Sequence, residues 1–122
     1  MMRRIVEAPG TLETSETSLS VTLELPSDLV WFEGHFPARA LLPGVTQLQW
    51  VLEYAARWLG PVKLREVLST KFVRPILPGE TLQLCLTKGS DAADGLTLRF
   101  EYRVIGQGSS VQVALGRLKV AR

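Results

Sequence analysis

Residues 44–59 are apolar on nearly every side of the helix that their spacing predicts, and this segment constrains the fold more than any other. Apolar residues recur there at steps of three and four, with aromatic and aliphatic residues at most positions between them. The positions at helical steps are Val45, Leu48, Leu52, Ala55, Ala56 and Leu59, and those between them include Trp50, Val51, Tyr54 and Trp58. A helix that is apolar almost all round is a buried one, so we expect the rest of the chain to enclose it.

Proline and glycine mark both ends of this helix. Pro43 fixes the backbone where the chain enters the helix, and Gly44 stands at its start. Gly60 suits a C-terminal cap, and Pro61 cannot continue a helix. The helix is therefore predicted between residues 44 and 59.

Much of the remaining chain alternates between apolar and polar residues, which is the period of a half-buried strand. One such run precedes the helix and four follow it, at residues 18–25, 64–73, 81–88, 96–105 and 111–120. Polar turns at residues 89–95 and 106–109 join the last three runs and predict an antiparallel meander. The pattern indicates an α+β fold in which an antiparallel sheet wraps around one long central helix. An exposed sheet edge needs a cover, so dimerisation is expected.

The length of 122 residues indicates a single domain over residues 1–122. With 46% hydrophobic and 21% charged residues, the composition is that of a globular protein. No run reaches the ~20 apolar residues of a membrane span. The basic N-terminus lacks the apolar core of a secretory signal, and we therefore expect a cytoplasmic protein. The single cysteine, Cys85, excludes an internal disulfide and is expected to be a buried or half-buried strand thiol.

Charge and motif content narrow the classes of function. The net charge of +2 is spread along the chain, whereas a nucleic-acid-binding protein would show a basic stripe with aromatic residues. A mildly basic surface suits an acidic protein partner, and equally an ordinary solvated surface. One histidine and one cysteine cannot make a zinc site, and no Gly-x-Ser-x-Gly motif is present. We expect neither a metal nor a cofactor.

His35 is the only histidine, and it lies in a loop beside glycine and proline. A neutral imidazole is well suited to moving a proton near neutral pH. Nine residues later, Gly44 begins the buried helix, whose first backbone N–H groups lack partners within the helix and carry the positive end of its dipole. Such an end can polarise a thioester carbonyl and stabilise the enolate that forms when the α-proton leaves. His35 and Gly44 thus supply both parts of an α-proton abstraction.

Residues 34–37 (GHFP) and 42–45 (LPGV) resemble the motif of the FabA/FabZ 3-hydroxyacyl-acyl carrier protein dehydratases. Residues 71–80 (KFVRPILPGE) are similar to the strand-to-turn segment of that family, and residues 45–50 (VTQLQW) resemble the ApeI-like dehydratases of aryl polyene pathways. The resemblance covers residues 18–120. It implies a hot-dog fold, a homodimer or a higher oligomer of dimers, and no added cofactor. It also implies dehydration of a 3-hydroxyacyl thioester, on acyl carrier protein or coenzyme A, to a trans-2-enoyl thioester in fatty-acid or aryl-polyene-type synthesis.

The resemblance implies a role for each matching residue. His35 would be the catalytic acid/base, and the Gly44 amide would bind the thioester carbonyl. The Leu41 carbonyl would accept a hydrogen bond from His35 and set its tautomer. Pro43 and Val45 would complete the substrate-binding residues beside Gly44.

Gln49 departs from the family pattern. The family carries a carboxylate fourteen residues after the histidine, facing the histidine of the other subunit, and that position is Gln49 here. A carboxylic acid can protonate the leaving hydroxyl, whereas an amide only hydrogen-bonds it, a loss of roughly 10²–10⁴-fold in rate. Both a residual catalytic or positioning role and no role stay open for Gln49. Glu53, one turn further on the same face, could replace the carboxylate, but a partly exposed carboxylate near Arg57 is the simpler interpretation.

Other residues have two interpretations each. Those that would line an acyl tunnel or pack in the core are Trp31, Trp50 and Trp58. Those that would meet an acidic carrier or its phosphate, or simply face solvent, are Arg39, Lys71 and Arg74. Two further functions also stay open. One is a hot-dog acyl thioesterase, which would need a carboxylate or a water-activating base near the helix. The other is a non-catalytic acyl-binding partner subunit, favoured by the lost carboxylate.

Overall fold

A computed structural model describes residues 7–25 and 44–121 of the chain. Its elements are β1 (Glu13–Thr14), β2 (Ser18–Glu24), α1 (Gly44–Leu59), β3 (Lys63–Phe72), β4 (Thr81–Ala92), β5 (Gly95–Gly106) and β6 (Ser109–Ala121). The strands form one antiparallel sheet in the order β1-β2-β4-β5-β6-β3. The α+β prediction is confirmed, with the helix packed against the sheet.

The last three strands form the predicted meander, in which β5 lies between β4 and β6. Tyr102 of β5 lies opposite Leu84 of β4 and Ala114 of β6. The strand on each side of the helix in the sequence joins an opposite side of this meander, since β2 pairs with β4 and β3 pairs with β6. This arrangement leaves β3 at one edge of the sheet.

The turns are tighter than the sequence predicted. The predicted turn at residues 89–95 is wrong in extent, because β4 continues to Ala92 and a register shift between Lys88 and Asp91 absorbs the polar residues as a bulge. The turn between β5 and β6 consists of Gln107 and Gly108, with φ angles of 48° and 78°. Two successive positive φ angles match the right-handed twist of the paired strands. Strand β1 is two residues long and lies before the first of the alternating runs that predicted strands.

The hydrophobic core lies between α1 and the inner face of the sheet. Alternate residues of β4 and β5 point inward, as predicted from their spacing: Leu82, Leu84, Leu86, Leu96, Leu98, Phe100 and Tyr102 are all buried. The helix contributes Trp50, Val51, Tyr54 and Ala55, each at most 2% exposed. At its C-terminus the Gly60 N–H donates to the Ala56 carbonyl at 2.9 Å, and Gly60 has a φ of 85°, which confirms the predicted cap.

The expectation that the helix is enclosed on all sides is wrong for the single chain within the described ranges. Val45 is 74% exposed, and Gln49 and Arg57 are also exposed. The sheet covers one side of α1, so Val45, near the helix N-terminus, lies on an open side. The only helix in the described part of the chain is too short to cross a membrane.

Candidate active site

Three of the predicted site residues, His35, Leu41 and Pro43, lie outside the described residues, and their roles stay predictions. The other three lie along the first two turns of α1. Gly44 is the first residue of the helix, Val45 follows it, and Gln49 stands one turn further on. The helix end and the amide side chain that the sequence singled out therefore lie on the same helix.

The N-terminal turn of α1 has an open and electropositive character. The turn contains no acidic residue, and Gly44 is partly exposed. The first backbone N–H groups of any α-helix lack acceptors within the helix, and the dipole adds partial positive charge there. An acyl carbonyl oxygen brought to this end would thus meet donors and a favourable field.

Phe72, at the end of β3, covers Gly44 from the sheet side. A Cβ atom added at Gly44 would stand 2.8 Å from Cζ of the Phe72 ring, so only glycine fits the present arrangement. The Phe72 side chain is itself 48% exposed. The ring and the helix end therefore form one partly open surface.

Gln49 and Glu53 occupy successive turns of α1 but differ in burial. Gln49 is exposed, which leaves its amide available to a ligand or to another subunit. Both carboxylate oxygens of Glu53 are buried. The expectation of a partly exposed Glu53 carboxylate is therefore wrong, and the Arg57 guanidinium binds Glu7 at 2.6 Å. The pattern missed this because Glu7 comes from a segment far away in the sequence.

A buried hydroxyl supports the first turn from below. Tyr102 of β5 donates to the Gln47 carbonyl at 2.5 Å, and its side chain is fully buried. Burial raises the pKa of Tyr102 well above its usual value, and the nearby Tyr54 and Glu53 raise the pKa further. The phenol therefore stays protonated and remains a donor. Alternation placed Tyr102 on the buried face but gave no signal for its hydrogen-bond partner.

The N-terminal segment is tied to the middle of α1. Glu7 accepts hydrogen bonds from the Tyr54 hydroxyl at 2.8 Å and from Arg57 at 2.6 Å. The hydrogen bond from Arg57 lowers the pKa of Glu7 despite partial desolvation. Further along the helix, Trp58 is partly buried and its indole N–H donates to the Ser15 carbonyl at 3.0 Å. These contacts fix the middle and the C-terminal part of α1 and do not involve its N-terminus.

The aromatic and basic candidates have different outcomes. Trp50 is 2% exposed and packs in the core, while Trp31 and Arg39 lie outside the described ranges. Arg74 forms two hydrogen bonds to the Glu80 carboxylate, at 3.2 and 2.8 Å, so its guanidinium is already engaged. Lys71 is exposed on β3. Cys85 is half-buried, as expected, and burial raises the pKa of its thiol.

The turn after β3 anchors the end of β2. The Leu77 N–H also donates to Glu80, at 2.7 Å. The Gly79 N–H donates to the Leu25 carbonyl at 2.7 Å, and the Leu25 N–H donates to the Glu80 carbonyl at 3.1 Å. Leu25 immediately precedes residues 26–43 in the sequence, the stretch that contains His35. These hydrogen bonds thus hold the backbone of Leu25, the residue that immediately precedes that stretch.

Comparison with known proteins gives a consistent assignment. A family model described as ApeI-like, the ApeI dehydratase, matches residues 11–114. The 3-hydroxyacyl-[acyl-carrier-protein] dehydratase FabZ of Roseobacter denitrificans is 29% identical over 111 residues, which are 82% of this chain and 69% of that protein. The match to FabZ of Rickettsia canadensis, 37% identical over 62 residues, spans 43% of each chain.

Solved structures resemble the whole chain. The dehydratase heterocomplex ApeI:P from Xenorhabdus doucetiae contains a chain that is 30% identical, with a TM-score of 0.82 over 98% of this chain and 100% of that one. An uncharacterized protein from Erwinia carotovora subsp. atroseptica is 34% identical, with a TM-score of 0.82 over 98% of this chain and 97% of that one. The predicted hot-dog fold is confirmed by these likenesses.

Proposed function

The chain belongs to the ApeI-like dehydratase family, and from this premise we propose that it removes water from a 3-hydroxyacyl thioester to give the trans-2-enoyl thioester. The observation that carries the proposal is that Gly44 is the first residue of α1, nine residues after the single histidine in the sequence. An imidazole base and an amide donor are the two parts that an α-proton abstraction needs. The enzyme is a lyase and needs no cofactor for this step.

The residues of this chain account for each proton that moves in the proposed reaction. The Gly44 N–H donates to the thioester carbonyl and stabilises the enolate oxygen as His35 takes the α-proton. The electron pair then forms the α,β double bond, and the C–OH bond breaks. The imidazolium of His35 returns its proton to the departing hydroxyl, which leaves as water. The Leu41 carbonyl accepts a hydrogen bond from His35 and so sets its tautomer. Gln49 donates a hydrogen bond to the hydroxyl without protonating it.

The substrate is proposed to arrive on acyl carrier protein, with a coenzyme A thioester as the second form. The FabZ relatives carry acyl carrier protein in their names, and the mild positive charge of this chain is compatible with an acidic partner. Pro43 and Val45 would line the entrance beside Gly44, since Val45 is 74% exposed. A role in fatty-acid or aryl-polyene-type synthesis and a cytoplasmic location belong to the same proposal.

A homodimer, alone or within a larger assembly of dimers, is part of the proposal. Strand β3 is a sheet edge whose apolar residues are exposed, with Leu64 and Val67 each 42% exposed. An uncovered edge of this kind invites pairing with another strand. Light scattering would check this, and Val67→Lys, which places a charge on the edge, should shift a dimer toward monomer. A monomeric wild-type protein would contradict it.

The central experiment follows turnover through the enoyl chromophore. Purified protein is given a 3-hydroxyacyl or crotonyl thioester, and His35→Ala is compared with Glu16→Ala, an exposed loop variant, as the matched control. We expect His35→Ala to lose about 10²–10⁴-fold in kcat/KM and the control to keep its activity. Undiminished product formation by His35→Ala would contradict the mechanism.

A second candidate is a non-catalytic acyl-binding subunit, which the exposed Gln49 in place of a carboxylate favours. Measurable binding of an acyl carrier without any turnover would support this candidate over the first. The same assay separates a thioesterase, because that activity would release free thiol and give no enoyl signal.

A further inference from the structure

A cavity of about 440 Å³ opens on the outer face of the sheet, away from α1. Its position follows from strand alternation, because Arg99 and Glu101 line it while their neighbours Leu98 and Tyr102 point into the core. Three exposed cationic side chains reach the cavity from three strands: Lys71, Arg99 and Arg117. Gly44 and the inner face lie on the other side of the sheet, so this cavity is separate from the proposed active site.

Two of the cations stand directly opposite each other. The register pairs Arg99 of β5 with Arg117 of β6, and hydroxyl residues extend the row on both sides, with Thr87 opposite Arg99 and Ser69 opposite Arg117. Directly opposed residues have Cβ atoms about 4.5–5.5 Å apart, and like charges at this spacing are destabilising. The register therefore places two cationic side chains next to each other, at a cost that a bound anion would remove.

The carboxylate in the cavity lining does not neutralise them. Glu101 accepts a hydrogen bond from Arg103 at 2.8 Å and another from the Gln112 side chain at 2.6 Å, both at the same oxygen. Across the described ranges, Lys71, Arg99 and Arg117 form no ion pair. By contrast, Lys119 on β6 does form an ion pair, with Asp94 at 2.7 Å.

We propose that this outer cavity binds a small organic phosphate, with the phosphate group held between Arg99 and Arg117. Guanidinium groups match phosphate oxygens with paired N–H donors, and Lys71 adds a point charge. The Ser69 and Thr87 hydroxyls supply neutral donors at the two ends of the row. A concave site of a few hundred Å³ has the size of small-molecule sites, which favours a small molecule over a broad protein surface.

The test uses inorganic pyrophosphate, and inorganic phosphate in parallel, titrated into the full chain by calorimetry at constant ionic strength. The variants are Arg99→Gln/Arg117→Gln and, as the matched control, Arg65→Gln, a β3 arginine outside the cavity lining. We expect saturable binding to the wild type, at least about tenfold weaker binding to the double variant, and no more than about twofold change in the control.

Thermal unfolding without ligand gives a second, independent readout. Because the double variant removes a like-charge pair, it should melt at or above the temperature of the wild type, which also shows that it is folded. Pyrophosphate should raise the melting temperature of the wild type and of Arg65→Gln but not that of the double variant.

Three results would overturn the proposal. The first is equal binding by the wild type and the double variant, and the second is no binding by the wild type up to about 10 mM pyrophosphate. The third is an acidic protein that binds through Arg99 and Arg117 while phosphate and pyrophosphate do not. None of these results depends on dehydration activity, so the two proposals fail separately.

Discussion

The ring of Phe72 lies so close over Gly44 that a Cβ at residue 44 would stand 2.8 Å from Cζ. The end of β3 thus limits the space over the first residue of α1. We predict that Gly44→Ala lowers kcat/KM for dehydration by about 10²-fold, because a misplacement of about 1 Å at a reacting centre has this effect. The melting temperature should change little, since the clash falls on the tip of a half-exposed side chain that can move.

A compensating variant separates steric from chemical effects. Gly44→Ala/Phe72→Leu removes the ring and should recover part of the activity, while Phe72→Leu alone provides the baseline. Full wild-type activity in Gly44→Ala would show that the space above the helix end is unimportant for the reaction.

Gln49 gives a gain-of-function prediction. Gln49→Glu restores a carboxyl group at an exposed position, so the free energy of unfolding should change by no more than about 0.5 kcal/mol. A group able to protonate the leaving hydroxyl should raise kcat by at least about tenfold. The gain should decline as the pH rises through the pKa of the new carboxyl, because only its protonated form is an acid. Initial rates between acidic and neutral pH would measure this.

Gln49→Met is the matched neutral control and should show no gain. If neither variant turns over substrate while both bind an acyl carrier, the non-catalytic alternative gains support instead.

The fold and the helix end could be predicted from the sequence, but the hydrogen-bond partners of the polar side chains could not. The helix between Gly44 and Leu59 and the inward faces of β4 and β5 follow from periodicity, which depends on local spacing. The Glu7–Arg57 pair joins residues fifty positions apart, and no local pattern encodes it. The exposed side of α1 was also missed, because apolarity alone does not distinguish the core of one chain from a contact surface.

Tyr102 offers a test of how the first turn of α1 is supported. Tyr102→Phe removes the hydroxyl that donates to the Gln47 carbonyl and leaves the ring in the core. We expect a loss of about 0.5–1.5 kcal/mol in the free energy of unfolding, the usual net contribution of one hydrogen bond. Urea unfolding monitored by circular dichroism would measure it. Phe100→Leu, a change in the same strand without a polar group, is the comparison for packing effects. An unchanged stability in Tyr102→Phe would show that the bond contributes nothing.

Glu80 gives a prediction about pH. Burial alone would raise its pKa, but the hydrogen bonds from Arg74 and from the Leu77 N–H outweigh it and lower the pKa below 4.5. A carboxyl with a lowered pKa in the folded state adds stability above its unfolded pKa, and this is lost as the pH falls through the folded pKa. Glu80→Gln should therefore be less stable than the wild type near pH 7 by about 1 kcal/mol, a value limited by solvent screening of the half-exposed pair.

The difference between the two proteins should shrink as the pH falls through the folded pKa of Glu80, below 4.5. Glu16→Gln, in an exposed loop with no hydrogen bond to the side chain among the described residues, should show no such convergence. The Glu80 carboxylate holds the turn whose Gly79 N–H and Glu80 backbone carbonyl bind Leu25, and Leu25 immediately precedes residues 26–43, so Glu80→Gln should lower dehydration activity as well. Parallel stability curves for wild type and Glu80→Gln across this pH range would contradict the assigned role of the Arg74–Glu80 pair, since a charge that matters only when ionised must lose its effect on protonation.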